Sequence, residues 1–145
     1  MSTEANRQLA RRGYEMFTRG DIAGVIDLCA DDIEWVSPKS EPIPYSGTFL
    51  GKAGVGQFFK ALSASVEFEQ FQPQCFIADA DRVAASGISR VKMLSNGAKF
   101  DDAWVHIFTM KNGKVVRFEQ YNNSAAHIAA LAAPQMDSEE MAGAV

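Results

Sequence analysis

The fold of this chain is decided by residues 82–121, which read RVAASGISRVKMLSNGAKFDDAWVHIFTMKNGKVVRFEQY. Apolar and polar residues alternate over much of this stretch, as they do in strands that bury one face. Asn96-Gly97 and Asn112-Gly113 interrupt the alternation. Asn-Gly between alternating segments is a strong hairpin signal, because both turn residues tolerate positive φ. The stretch therefore predicts three antiparallel strands, over residues 82–94, 98–110 and 114–121.

A two-residue turn also fixes which residues face each other across a hairpin. If both Asn-Gly pairs form such turns, Gly87 faces His106, Ser89 faces Trp104, and His106 faces Glu119 on its other side. One sheet face then combines aromatic rings with ionisable groups; it carries Ser89, Val91, Phe100, Asp102, Trp104, His106, Phe108, Arg117, Glu119 and Tyr121. An apolar surface with a few convergent polar groups is typical of a small-molecule pocket. A β-bulge in the last strand would turn its residues to the opposite face.

Outside this stretch, the chain predicts helices before the sheet and one helix after it. Apolar residues recur at helical spacing, and Gly20-Asp21 separates a helix end from the N-cap of the next helix. The predicted helices cover residues 3–18, a short segment after Asp21, 52–63 and 124–133, and further strands cover 33–36 and 66–77. Residues 37–51 predict a loop rich in proline and glycine, and residues 134–145 predict a disordered tail. This order indicates an α+β fold, with helices packed on one face of a curved sheet.

The composition excludes several classes of protein. The 145 residues suit one domain, and 14 Lys+Arg against 18 Asp+Glu give a net charge of −4, which disfavours nucleic-acid binding. No apolar run approaches the ~20 residues of a membrane span, and the polar start predicts no signal peptide. Cys29 and Cys75 lie far apart, which predicts reduced, buried thiols in a cytoplasmic protein. No sequence feature requires a metal, a flavin, a nicotinamide or any other cofactor.

Several motifs in order resemble those of SnoaL-like proteins. They are Gly20-Asp21, the run Ala30-Asp31-Asp32-Ile33-Glu34-Trp35, the run Trp104-Val105-His106-Ile107-Phe108-Thr109, and Asn112-Gly113-Lys114-Val115. The likeness covers about residues 5–133. It implies a domain over residues 1–133 with the cystatin-like cone of the nuclear transport factor 2-like superfamily, in which three N-terminal helices pack on a curved, mostly antiparallel sheet around a pocket. That superfamily includes ketosteroid isomerases, polyketide cyclases, limonene-epoxide hydrolase, dehydratases and non-catalytic members, and homodimers are common in it.

The resemblance also identifies positions where this chain lacks the expected carboxylate. Ketosteroid isomerases have an Asp base where this chain has Ser37, and many relatives have Asp where it has Asn123. A hydroxyl cannot shuttle a proton as a carboxylate does. Tyr14 lies one residue from the position of the first-helix tyrosine of those isomerases. Asp102, His106 and Glu119 are then the remaining groups that can handle protons.

These residues predict a candidate site. His106, oriented by Glu119, is the expected base or acid, Asp102 its partner, and Tyr14 a hydrogen-bond donor. The expected ligand-binding residues are Phe17, Trp35, Phe59, Trp104, Tyr121 and Asn123. His127, the other histidine, is expected in the terminal helix, away from the pocket. Each of these residues also has a purely structural interpretation, as part of the core or of a solvated face.

Two functions follow as alternatives. In the first, the chain binds a small, largely apolar molecule similar to a polyketide or a steroid, and performs cofactor-independent acid–base catalysis as a cyclase, dehydratase, isomerase or epoxide hydrolase. In the second, it is a non-catalytic ligand-binding protein or a dimeric accessory protein. Both alternatives predict a cytoplasmic homodimer with no nucleic-acid or membrane partner.

Overall fold

The computed structural model describes residues 2–135 and has the predicted α+β architecture. The elements in chain order are α1 (Thr3–Thr18), α2 (Ile22–Asp27), β1 (Cys29–Ser37), β2 (Gly47–Leu50), α3 (Gly51–Ser65), β3 (Val66–Asp79), β4 (Arg82–Met93), β5 (Lys99–Lys111), β6 (Lys114–Tyr121) and α4 (Ser124–Ala132). Six strands form one sheet in the order β2-β1-β6-β5-β4-β3. Only the β1–β6 pair among them is parallel. Most of the predicted tail, residues 136–145, lies outside the described residues.

The helices cover one face of the curved sheet because each presents an apolar stripe to it. In α1 the stripe includes Leu9, Ala10 and Tyr14, all buried. Ser2 caps this helix by accepting a hydrogen bond from the backbone N–H of Ala5 at 3.0 Å. None of the helices within residues 2–135 is long and apolar enough to cross a membrane.

The two Asn-Gly pairs form different loops. Asn112 and Gly113 have φ of 52° and 76° and join Lys111 to Lys114 in the predicted two-residue turn. At Asn96-Gly97 only the glycine has positive φ, and a four-residue loop connects Met93 to Ala98. The β4–β5 register therefore differs by two residues from the prediction. A shift of two preserves the faces, so the predicted inward residues of β5 do point inward.

A β-bulge at Val116 makes the prediction for β6 wrong. Val115 pairs with Met110, but Arg117 pairs with Thr109, so Val116 is the extra residue. His106 consequently faces Gln120, and Glu119 lies on the convex face beside Arg117 at 3.6 Å. This register buries Phe118, which is 4% exposed, and leaves the two charged side chains at the surface. Burying an ion pair would cost several kcal/mol, whereas burying a Phe stabilises the fold by about 1.5–3 kcal/mol.

Two further predictions need correction. Tyr121 also lies on the convex face, 45% exposed, and its hydroxyl donates to Glu119 at 3.0 Å, so it is not a wall of the pocket. The thiols of Cys29 and Cys75 are both free, but only Cys29 is buried, because the Cys75 side chain is on the exposed side of β3.

Candidate functional site

A cavity of about 90 Å³ lies between the helices and the concave face of the sheet. Its walls are largely aromatic. Four of the six residues expected to bind a ligand line it, namely Phe17, Trp35, Phe59 and Trp104. Asp102, His106 and Tyr14 line it as well, whereas Glu119, Tyr121 and Asn123 do not.

One wall of the cavity is a stack of flat rings. The Trp104 indole is stacked on Phe71 with ring centroids 5.0 Å apart and on His106 at 4.2 Å. Gly87 faces Trp104 across the β4–β5 pair, and a Cβ atom there would collide with the indole. The indole therefore fills the space that Gly87 leaves, and Gly87 is required for the indole to lie against the sheet.

The first polar group of the cavity is a tyrosine–histidine pair. The Tyr14 hydroxyl lies 2.7 Å from Nδ1 of His106, which is 7% exposed. Burial lowers the pKa of His106 to about 3 and raises the pKa of Tyr14 well above its usual range. Both side chains are therefore uncharged at neutral pH, and the predicted partner of His106, Glu119, lies on the other face of the sheet.

The second polar group joins three buried side chains. Asp102 Oδ2 lies 2.7 Å from Nε2 of His127, and Nδ1 of His127 lies 2.7 Å from the Tyr45 hydroxyl. These residues are 6%, 5% and 2% exposed for Asp102, His127 and Tyr45. Burial first, and the charge of Asp102 second, raise the pKa of Tyr45 well above its usual range. We call this group the Asp–His–Tyr chain.

Helix α4 holds His127 in place through contacts at both of its ends. At the N-terminus Asn123 caps the helix by accepting from the backbone N–H of Ala126 at 3.2 Å, and its own N–H donates to Asp102 Oδ1 at 3.0 Å. Asn123 is exposed and does not line the cavity, whereas the neighbouring Asn122 does.

The C-terminal end of α4 is held by Asn96. Its Nδ2 donates to the carbonyl oxygens of Ala130, Leu131 and Ala133 at 2.7, 3.2 and 3.0 Å. Its Oδ1 accepts from the N–H of Ala98 at 2.9 Å. The whole residue is buried, with 5% of its surface exposed. Helix C-termini leave carbonyls without intrahelical partners, and Asn96 satisfies them. The residue predicted to form a tight turn instead anchors the helix that carries His127.

Sequence reasoning missed His127 and Tyr45 as members of the site. A signal for His127 is present, because it shares a helical stripe with Ala130 and Leu131, and a histidine on the buried face of an apolar helix needs polar partners. Tyr45 lies in the proline-containing loop before β2, where no periodic pattern indicates the direction of a side chain.

The Asp–His–Tyr chain can move a proton without leaving a phenolate in the cavity. When Asp102 is ionised it only accepts, so the proton of His127 lies on Nε2 and Nδ1 accepts the Tyr45 O–H. A proton that reaches the Tyr45 oxygen can displace the phenolic proton onto Nδ1. The positive charge then lies on His127, next to the carboxylate of Asp102.

Within residues 2–135, no three His, Cys, Asp or Glu side chains are grouped so that they could hold a metal ion.

The sequence of this chain matches that of a known protein family. The chain belongs to the family of SnoaL-like domains, whose sequence profile matches residues 10–118 and so ends before α4. This result confirms the resemblance found in the sequence motifs.

Solved structures support the same fold. A nuclear transport factor 2-like (NTF2-like) protein from Burkholderia xenovorans is 31% identical, with 90% of this chain and 98% of that chain covered at a TM-score of 0.80. An NTF2-like protein of unknown function from Burkholderia pseudomallei is 30% identical, with 92% and 100% covered at 0.83. TerC, co-crystallised with polyporic acid, is 28% identical, with 89% and 99% covered at 0.81. A comparison with curated proteins finds no match.

Proposed function

We propose that the chain binds a small, largely apolar molecule in its cone cavity and catalyses proton transfer on it through the Asp–His–Tyr chain. The observation that carries this proposal is the pair of 2.7 Å contacts that link Asp102, His127 and Tyr45 at the wall of an aromatic cavity. A buried carboxylate that orients an imidazole is a common arrangement for general acid–base catalysis.

The reaction class is a cofactor-independent isomerisation, cyclisation, dehydration or epoxide opening. In each, a proton leaves one atom of the ligand or reaches another. The Tyr45 oxygen takes the proton while its own proton passes to Nδ1 of His127, and the reverse transfer returns it. Asp102 stabilises the imidazolium that forms. His106, the base expected from the sequence, is uncharged and a poor proton acceptor at neutral pH, because burial lowers its pKa to about 3.

The ligand class is supported by the walls of the cavity and by one similar protein. Phe17, Phe59 and Phe71 offer apolar faces, and the stacked rings favour a flat molecule. TerC was co-crystallised with polyporic acid. Polyporic acid is therefore the first binding probe, and we expect it to quench the fluorescence of Trp35 and Trp104.

The test of catalysis uses two adjacent aspartates. Turnover of a panel of enolisable ketones and epoxides is compared among the wild type, Asp102→Asn and Asp101→Asn. Asp101 points away from the cavity and contacts Arg90 at 3.3 Å, so it is a matched control. We expect Asp102→Asn to lower turnover by about 100-fold or more and Asp101→Asn to change it by less than about twofold. Equal turnover in all three proteins would exclude the catalytic role.

A second candidate function is ligand binding without catalysis. It is favoured by the structural role of Asp102, whose two oxygens accept from the N–H of Asn123 and from His127 and so hold α4 against β5. In that case Asp102→Asn lowers stability, and no member of the panel is turned over by the wild type.

The predicted homodimer has support in the convex face, where Ile88 and Val105 are 37% and 40% exposed. A monomeric mass in light scattering would contradict it.

A further inference from the structure

One hydroxyl on the cavity wall has no hydrogen-bond partner. Ser89 lies on the concave face of β4, lines the cavity and is 4% exposed. Within residues 2–135, three features of its Oγ can be compared with two indole nitrogens: Nε1 of Trp35 and Nε1 of Trp104 also lack a partner, but both are enclosed, so no ligand atom reaches them as the rings lie. The Ser89 Oγ is not enclosed in this way, so its free surface faces the cavity. Buried polar groups are nearly always hydrogen-bonded, so this hydroxyl indicates the place of a polar ligand atom.

The residue opposite Ser89 supplies a second polar group. Ser89 pairs with Asp102 across β4 and β5, and both side chains lie on the concave face. The Cβ atoms of residues directly opposite in antiparallel strands lie roughly 4.5–5.5 Å apart. Both hydrogen bonds of Asp102 go to residues that follow β6, namely Asn123 and His127, and β6 adjoins β5 on the side opposite β4. A carboxylate has about four acceptor positions, so Asp102 can accept further hydrogen bonds on the side of Ser89.

We propose that Ser89 and Asp102 together bind one hydroxyl oxygen of the ligand, which is a small alcohol. The ligand hydroxyl donates its proton to Asp102 and accepts the proton of Ser89. With a hydrogen bond of about 2.8 Å on either side, a single oxygen bridges two groups that lie roughly 5 Å apart. The inference rests on the proposed function only in that the ligand occupies this cavity.

The charge of Asp102 selects a hydroxyl over other polar groups. A carbonyl oxygen only accepts, so its lone pairs would face the carboxylate, and a ligand carboxylate would add a second negative charge beside Asp102. An ammonium group only donates, so it leaves the Ser89 proton without an acceptor. A hydroxyl both donates and accepts, and it therefore matches both sides of this site.

The volume of the cavity limits the rest of the ligand. A cavity of about 150 Å³ in another protein holds one benzene molecule, whereas this cavity has a volume of about 90 Å³. The enclosed part of the ligand is therefore no larger than a small ring. Phe71 pairs with Ser89 on the other side of β4 and lines the same cavity, so it offers an apolar face to that ring.

The test is a set of NMR titrations with cyclopentanol, cyclopentanone, cyclopentylamine and methylcyclopentane, which share one small ring. We expect the wild type to bind the alcohol about fivefold more tightly than the ketone, the factor that corresponds to one hydrogen bond. Ser89→Ala removes only the hydroxyl, so the affinity for the alcohol falls about fivefold while the affinity for methylcyclopentane does not fall. Ser86→Ala makes the same change on the convex face of β4, opposite the exposed Val105, and leaves all four affinities unchanged.

Three results would overturn the proposal: an affinity of the wild type for the ketone or the amine that equals or exceeds that for the alcohol, an affinity for the alcohol that is the same in Ser89→Ala and Ser86→Ala, or no binding of any of the four probes. These are binding measurements, so they are independent of turnover. Full turnover in Asp102→Asn would contradict the catalytic proposal and would leave the comparison between the wild type and Ser89→Ala as it stands.

Discussion

Each of the two histidines in this chain meets a tyrosine hydroxyl at 2.7 Å through Nδ1, Tyr14 for His106 and Tyr45 for His127. The two pairs differ at Nε2. His127 has the Asp102 carboxylate there at 2.7 Å, whereas His106 has no partner within residues 2–135. An imidazolium at His127 would have a counter-charge, and one at His106 would have none. The same pair of residue types therefore suits the proposed proton transfer at His127, whereas the His106 pair stays neutral.

The difference arises from the elements that carry each ring. His106 is on β5, where its direction follows from the alternation of the strand. His127 is on α4, and reaches Asp102 only while that helix is docked. Asn96 and Asp102 hold the two ends of α4. Three predictions test this comparison.

The largest effect is expected at Asn96. Asn96→Asp replaces a donor by a carboxylate that faces the carbonyls of Ala130, Leu131 and Ala133. We expect the free energy of unfolding to fall by about 3 kcal/mol, measured by urea denaturation. The ring nitrogen NMR signals of His127 should shift, while those of His106 stay in place. Asn112→Asp is the control in the other Asn-Gly turn and should cost less than about 0.5 kcal/mol, because Asp also tolerates positive φ. Equal losses in both variants would contradict the anchoring role.

Next in size is the contrast between the two tyrosines. Tyr45→Phe removes the proton carrier and should lower kcat by about 10- to 100-fold on a substrate from the ketone and epoxide panel. Tyr14→Phe should mainly raise KM, because the Tyr14 hydroxyl orients His106, which lines the cavity. Steady-state kinetics of the two variants measure this split. A larger fall in kcat for Tyr14→Phe than for Tyr45→Phe would reverse the assignment of the two pairs.

The third prediction is a pH dependence of the free energy of unfolding that comes from His106. Burial lowers its pKa from 6.5 to about 3, so between these values the unfolded chain binds a proton that the folded chain does not. The stability that neutral His106 permits is fully present above pH 6.5 and is lost as the pH falls, by about 1.4 kcal/mol per pH unit. The free energy of unfolding of His106→Phe should therefore fall less steeply than that of the wild type from pH 6 to 4. Parallel slopes would contradict the neutral state of His106.

Much of the sheet could be predicted because hairpin signals are local. Asn112-Gly113 forms the expected turn, and α1 ends where the sequence predicts. The loop at Asn96-Gly97 was predicted too short, because the side chain of Asn96 bonds to a helix that begins 28 residues later in the chain, and a local pattern does not contain that contact. The predicted β4–β5 register is wrong by two residues, and a shift of two keeps every inward residue of β5 on the same face.

The bulge at Val116 had the opposite effect, because a shift of one residue exchanges the two faces of a strand. Because of the bulge, Glu119 and Tyr121 lie on the convex face, away from His106 and the pocket. The sequence does contain a signal for it. The predicted register buried Arg117 and Glu119 and exposed Phe118, and the hydrophobic pattern of β6 favours the reverse.

His127 and Tyr45 show the limit of strand-based reasoning about this site. Both enter the cavity from outside the three central strands, one from α4 and one from the loop between β1 and β2. Their meeting depends on tertiary packing, since 82 residues separate them in the chain. The wall residues Phe17, Trp35, Phe59 and Trp104 follow regular periodicities, and their placement at the cavity could be predicted.

The most direct test of the proposed proton transfer is deuterium incorporation from heavy water into a ketone of the panel, followed by NMR with saturating ketone. His127→Phe and His106→Phe make the same change at the two histidines. We expect His127→Phe to lower the saturated exchange rate by about 100-fold or more. His106→Phe should lower it less than tenfold and raise KM instead. Exchange that persists in His127→Phe but is lost in His106→Phe would contradict this account. It would show that His106, and not the histidine that contacts Asp102, transfers the proton.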